Sequence, residues 1–98
     1  MPFQCPTCAN PTLEITESVE LGPGDDDDER SLQLITCPCG LTGAAFYRES
    51  RRGSGESWHH EGFLLEAATI AQIREHMARR ELPADLLPRP SFAMTLAD

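Results

Sequence analysis

The sequence lacks an apolar run long enough to cross a membrane, and residues 1 to 20 lack both a basic start and an apolar stretch. A spanning helix needs about 20 predominantly apolar residues, and a signal peptide joins a basic segment to an apolar one. We therefore expect a cytoplasmic protein without a membrane segment. Cysteine pairs in such a protein are metal ligands or catalytic groups more often than disulfides.

Lysine is absent as well, because all eight basic side chains are arginine. Residues 1 to 29 contain eight acids and no base, whereas residues 30 to 98 contain eight arginines and eight acids. All of the net charge of -8 therefore lies in the N-terminal part. This balance argues against unspecific attraction to nucleic acid, although a local arginine cluster could still contact phosphate.

Alternating and turn-rich segments predict two β-hairpins. Leu13, Ile15, Val19 and Leu21 share one parity, which is typical of a half-buried strand. The segment "GPGDDDDER" then predicts a turn whose acidic run, residues 25 to 29, is a solvated tip, and "SLQLITC" predicts the returning strand. Two further extended runs, residues 43 to 50 and 56 to 66, predict a second hairpin with "RRGSGE" as its loop.

The segment after the second hairpin predicts one helix, from about residue 70 to residue 81. Thr69 and Gln72 fit a capping box at its start. The same segment has three apolar residues on one narrow face and two arginines in the expected last turn, where positive charge suits the helix dipole: these are Ile70, Ile73, Met77, Arg79 and Arg80.

Prolines prevent the helix from continuing, so residues 83–98 form a proline-containing tail. The tail is too apolar to dismiss as disordered. Phe92, Met94 and Leu96 alternate as a strand would, which predicts that the tail docks on its own domain or on a partner.

Two short cysteine pairs, "CPTC" and "TCPCG", are the most specific feature of the chain. Four thiolates delivered by two tight turns are the ligands of a tetrahedral zinc site. Gly40 follows the second pair and permits the left-handed backbone such a turn needs, whereas Ala9 occupies that place after the first pair and Asn10 comes next. The predicted metal ligands are therefore Cys5, Cys8, Cys37 and Cys39.

These pairs resemble those of the zinc-ribbon group, in which two turns, often written C-P-x-C-G, clamp one zinc at the end of a small antiparallel sheet. The resemblance covers the layout of residues 3 to 66 and is carried by Cys5, Pro6, Cys8, Cys37, Pro38, Cys39 and Gly40. It departs from the pattern in the second pair, which is C-x-C. The resemblance implies a zinc-ribbon-like domain over residues 1–82 and one structural Zn²⁺, because four thiolates leave no open position.

The expected fold class is α+β: a small antiparallel sheet of about four strands in two hairpins, a four-cysteine metal site, one C-terminal helix and the tail. Other uses of the thiols stay open. "CPTC" looks like a glutaredoxin redox motif, but it does not follow a core strand and open a helix. Disulfides would need an oxidising compartment, and an iron site of the rubredoxin kind would use two C-x-x-C turns.

A second cluster of candidate residues surrounds the second hairpin and predicts a binding surface: Arg48, Arg51, Arg52, Trp58, His59 and His60. Arginines suit phosphate or carboxylate, and aromatic residues suit a base or a protein hot spot. The alternative is structural, with Trp58 and Phe63 packed beneath the helix and the arginines solvating a loop.

Three function classes follow. The leading hypothesis is a structural zinc-binding module that contacts another protein, without enzymatic activity. The alternative is a nucleic-acid-binding zinc ribbon of the transcription machinery that uses the arginine-bearing hairpin. A thiol redox enzyme ranks below both, as does a nuclease in which His59, His60, Glu61 and Arg51 provide a general base and a charge clamp. The alternating tail segment also permits a homodimer through an added strand.

Overall fold

The computed structural model describes residues 3–21, 29–52, 55–83 and 85–96, and within residues 50–58 it describes only the backbone. The acidic tip at residues 25 to 28 and the loop tip at 53 and 54 lie outside this part of the chain. The elements are β1 (Glu14–Glu20), β2 (Glu29–Thr36), β3 (Thr42–Arg52), β4 (Gly55–Leu64), α1 (Ala67–Ala78) and β5 (Phe92–Ala93).

The five strands form one antiparallel sheet in the order of the chain, β1-β2-β3-β4-β5. Both predicted hairpins are present, and the α+β class is confirmed. The predicted number of about four strands is too low, because the tail supplies a fifth. Phe92 and Ala93 pair with Gly62 and Glu61, so the tail docks on its own sheet.

The N-terminal segment closes this sheet into a ring. Phe3 bridges to Leu13, just before β1, and also to Leu96, just after β5. The Phe3 amide donates to the Leu13 carbonyl at 2.7 Å, and the Gln4 amide donates to the Thr95 carbonyl at 2.8 Å. The first and last strands are thus joined at this end of the sheet through residues 3 and 4.

A bulge in β1 changes which face of the sheet its apolar residues cover. The register slips by one residue between Ile15 and Glu17. As a result Ile15 and Leu13 pack on one face, whereas Val19 and Leu21 pack on the other. The four predicted residues are the more buried ones of this strand region, as expected, but they do not share one face. The extra residue of the bulge inverts the alternation beyond it.

The inner face of the ring holds one apolar cluster, which we call the inner cluster. Its members come from the first and last segments of the chain as well as from the central strands, so the ring and its core form together. They are Cys5, Leu13, Ile35, Cys37, Leu41, Ala45 and Met94, with Phe3, Cys8, Ile15 and Phe92 partly buried against them.

Helix α1 covers the opposite face through an outer cluster. Ile73 and Met77 are buried there with Ile70 beside them, as the periodicity predicts. They pack against Leu32 and Leu34 of β2, and Leu86 and Leu87 of the tail extend the same cluster.

The helix lies about three residues earlier than the predicted range of 70 to 81. Its N-cap is Glu66, without a side-chain cap, so Thr69 lies inside the first turn and does not cap it. Its end is set by Arg80, whose φ of 55° is left-handed. The Arg80 amide donates to the Met77 carbonyl and the Glu81 amide to the His76 carbonyl, which is the hydrogen-bond pattern of a Schellman motif.

The tail is held by a close approach of Phe92 to the backbone of Gly62. A methyl group at residue 62 would overlap the ring of Phe92. The Ser91 amide donates to the Gly62 carbonyl at 2.7 Å, and the Met94 amide donates to the His60 carbonyl at 2.8 Å. Glycine at residue 62 therefore lets the ring of Phe92 lie directly on β4.

This contact predicts a non-additive pair of substitutions. Gly62→Ala should lower the free energy of unfolding by about 1 to 3 kcal/mol, because the new methyl group displaces the Phe92 ring. Phe92→Ala should cost about 2 kcal/mol by itself, and the alanine at 62 should cost little more once the ring is gone. Urea unfolding of the unmodified protein, the two single variants and the double variant measures the coupling energy. Additive losses of unfolding free energy would contradict the contact.

Candidate metal centre

The first cysteine turn begins where the N-terminal segment leaves the ring. The Cys5 sulfur accepts from the Cys8 amide at 3.5 Å, and the Ala9 amide donates to the Cys5 carbonyl at 3.0 Å. The turn requires a left-handed residue, and Ala9 supplies it with a φ of 64°. An alanine in this conformation is strained by about 1 kcal/mol, so the turn is stable only because its surroundings hold it.

The second turn follows β2 directly and is one residue shorter. The Gly40 amide donates to the Cys37 carbonyl at 2.9 Å, and the Cys37 amide donates to the Leu41 carbonyl at 3.0 Å. Gly40 has a φ of 106°, as its place in the sequence predicts. The C-x-C spacing is thus compatible with a closed turn.

The two turns bring the four sulfurs together. The Sγ atoms of Cys5, Cys8, Cys37 and Cys39 all lie within 4.8 Å of one another. The Cys5 sulfur is 3.7 Å from that of Cys39, and the Cys8 sulfur is 3.7 Å from that of Cys37. Four sulfurs at about 2.3 Å from a shared metal would be about 3.8 Å apart. The cluster therefore has the size of a tetrathiolate metal site.

The site is closed on one side and open on the other. Cys5 and Cys37 are buried in the inner cluster, with 1% and 4% of their surfaces exposed. Cys8 is half-buried and Cys39 is exposed. A metal ion at this place would be anchored to the core through two ligands and would be reached from solvent beside Cys39.

The pKa values of Cys8, Cys37 and Cys39 shift in different directions, because these thiols lie close to one another and to hydrogen-bond donors. A hydrogen bond from the Asn10 backbone lowers the pKa of Cys8 to about 6, against the opposing effect of burial. The hydrogen bond from the Thr12 hydroxyl also lowers the pKa of Cys37. The Leu41 backbone acts in the same direction on Cys39, but desolvation and the other three thiols outweigh it and raise the pKa of Cys39 to about 12.

Four adjacent thiolates repel one another, and a divalent cation would remove that repulsion. The arrangement matches a soft metal ion that prefers thiolate ligands. Within the described ranges these four cysteines are the one group of three or more histidine, cysteine or acidic residues placed to hold a metal. Four protein ligands leave no position for a substrate.

Thr12 supports the site from outside the ligand set. Its Oγ1 lies 3.0 Å from the Cys37 sulfur and 3.9 Å from the Cys8 sulfur. A hydroxyl that donates to a thiolate orients the ligand and spreads its charge. Nothing in the local pattern of the sequence marks Thr12 for this role, because the contact depends on how the first turn meets the end of β2.

The hairpin residues predicted for binding lie on different faces. Arg48 and His59 are exposed and stand opposite each other across β3 and β4. His60 is half-buried: its Nε2 lies 2.7 Å from the Gln33 Oε1, and burial lowers its pKa. Its ring makes edge contacts with Phe3 and Tyr47, both with centroids 5.3 Å away. His60 thus has a packing role at the ring closure.

The other three predicted residues have a described backbone only. Trp58 pairs with Glu49, Arg51 with Glu56 and Arg52 with Gly55. Their side chains lie outside the described part of the chain. Their proposed role in binding stays a prediction.

Arg30, which is not among the predicted site residues, is half-buried on β2 beside the exposed Arg48. Arg30 stands directly opposite Arg48 across β2 and β3, and His59 follows on β4. Arg30, Arg48 and His59 thus lie side by side on three neighbouring strands, on the face of the sheet that carries α1. Both arginines also interact elsewhere in the chain.

Comparisons of this chain with protein-family models, with curated proteins and with solved structures find no match. The helix in the described part of the chain is too short and too polar to span a membrane.

Thr12 generates a prediction about metal affinity. Thr12→Val should weaken metal binding by about tenfold or more, because the Cys37 thiolate loses its hydroxyl donor. Thr12→Ser should keep the affinity within a few-fold. Competition with a chromophoric chelator measures the constants, with Thr7→Val as a control in the same turn that leaves the Thr12 hydroxyl in place. Equal affinities for Thr12→Val and the unmodified protein would contradict the role.

Proposed function

We propose that this protein is a structural zinc-binding module that acts by contacting another protein. The observation that carries the zinc assignment is the set of four sulfurs from two turns that lie within 4.8 Å of one another, two pairs of them 3.7 Å apart. The resemblance of these turns to zinc ribbons and the short second turn favour zinc over iron. A reducing compartment such as the cytoplasm keeps all four thiols available to the metal.

The role of the zinc is to hold the fold. Four thiolates complete the coordination shell, so the ion offers no position to activate water or a substrate. With Zn²⁺ bound the site has a net charge of about -2. A contact function fits a small acidic protein whose sheet and helix present exposed surfaces and whose four thiolate ligands leave the metal no open coordination position.

The zinc assignment predicts one Zn²⁺ per chain and a fold that depends on it. Elemental analysis of purified protein should give a 1:1 ratio, and chelation should unfold the protein, since structural zinc binding is coupled to folding. Cys5→Ser should abolish binding, because a buried hydroxyl replaces a ligand, whereas Thr42→Ser on the neighbouring strand should have no effect. Stoichiometric iron, or a fully folded zinc-free protein, would contradict the assignment.

Nucleic-acid binding is a second candidate, favoured by the row formed by Arg30, Arg48 and His59. Guanidinium groups at one level of a sheet can donate hydrogen bonds to the oxygens of one phosphate group. Residues 1 to 29 carry the excess negative charge and would repel nucleic acid. Binding would therefore take place only at this local surface.

Salt dependence separates the two candidates. If the row binds phosphate, a labelled single-stranded or duplex oligonucleotide should bind at low salt, and Arg48→Ala should weaken binding and make the salt dependence shallower. Arg89→Ala changes the charge equally but lies in the tail, so it should have little effect. Fluorescence anisotropy measures both. No binding at low salt, or equal losses in the two variants, would exclude this candidate.

A further inference from the structure

The edge of β1 is the longest sheet edge without a strand partner among the described residues. The Leu21 amide donates to the Arg30 carbonyl at 3.0 Å, so this pair is hydrogen-bonded. Hydrogen-bonded and non-bonded pairs alternate along antiparallel strands. With Val19 opposite Leu32 and Ser18 opposite Gln33, the N–H and C=O groups of Ser18 and Glu20 therefore point away from β2.

An open groove runs beside this edge, between β1 and α1. Its volume is about 390 Å³, and it is lined by Glu17, Ser18, Val19, Arg74, Met77 and Ala78. The floor is apolar through Val19 and Met77. Glu17 and Arg74 form an ion pair across it, with 2.7 Å between Nη2 and Oε2. This pair is exposed and contributes little to stability, so a ligand could displace it at small cost.

The charges along the β1 edge determine what kind of strand can pair with it. Glu14 and Glu20 are exposed on β1, and the sequence has no arginine or lysine before Arg30. Two copies of β1 paired with each other would bring acid against acid, which argues against a homodimer at this edge. A segment with arginine or lysine would meet complementary charge.

We propose that β1 takes up an extended basic peptide of a partner protein as an added strand. The peptide backbone bonds to the outward groups of Ser18 and Glu20. Alternate side chains of a strand point to opposite faces, so one set enters the groove over Val19 and Met77 and the other set meets Glu20. The recognised segment therefore alternates apolar and basic residues. This proposal rests on the proposed contact function and specifies its surface.

The test uses the zinc-loaded full chain and an acetylated, amidated hexapeptide that alternates leucine and arginine. We expect binding that weakens as salt rises and that shifts the amide signals of Ser18 and Glu20 and the methyl signals of Val19 and Met77 in NMR titrations. A peptide that alternates leucine and glutamate should not bind. Absence of binding by the leucine-arginine peptide at low salt would overturn the proposal.

A proline substitution separates strand addition from simple charge attraction. Ser18→Pro removes an outward N–H that β2 does not use and should weaken peptide binding at least about tenfold. Ser18→Ala keeps the N–H and should bind as the unmodified protein does. Glu20→Gln should weaken binding and reduce its salt dependence. Equal binding by Ser18→Pro and Ser18→Ala would overturn strand addition.

Methylated peptides test the same bonds without changing the protein, which matters if the proline variant fails to fold. Methylation of the alternate peptide nitrogens that face β1 should abolish binding. Methylation of the other set, which faces away from β1, should leave the affinity within a few-fold. Equal effects of the two sets would overturn the proposal. Zinc content is measured on the same samples: zinc-loaded protein that ignores the peptide contradicts the docking surface alone, whereas folded zinc-free protein contradicts the structural role of zinc.

Discussion

The convergence of four sulfurs from two distant turns is the constraint on which the rest of the structure depends. Cys5 directly follows the residues that close the sheet, and Cys37 directly follows the interior strand β2. A metal held by both turns would therefore fix the N-terminal segment against the end of β2. The same two cysteines belong to the inner cluster, so the metal site and the apolar core share residues.

The joining of the first and last strands through Phe3 and Gln4 matters because each face of this small sheet has only a modest apolar core. The inner cluster needs Phe3 from one end of the chain and Met94 from the other, and both ends must be in place before it is complete. Contacts of such sequence separation carry a large entropic cost in a short chain. A metal that joins residues 5 and 37 would reduce that cost for the N-terminal segment. The close packing of Phe92 on Gly62 secures the tail.

Local patterns in the sequence predict the cysteine turns, both hairpins, the buried face of the helix and the strand-like tail, because each depends on neighbours within a few residues. The position of Thr69 is misleading for a physical reason: a left-handed Arg80 ends the helix early, and Glu66 begins it without a side-chain cap. The bulge after Ile15, the bridge at Phe3 and the hydroxyl of Thr12 depend on tertiary contacts. A pattern of residues in one chain does not contain that information.

The hydrogen exchange of individual amides, compared between zinc-loaded and chelated protein at the same pH, tests most directly whether the metal closes the ring. We predict that, as a chelator removes zinc, exchange accelerates first at Phe3, Gln4 and Leu13, whose amides make the closing bonds. The pairing of β2 with β3 should lose its protection afterwards, when the whole chain unfolds. Unchanged protection of those three amides after complete removal of zinc would contradict the prediction.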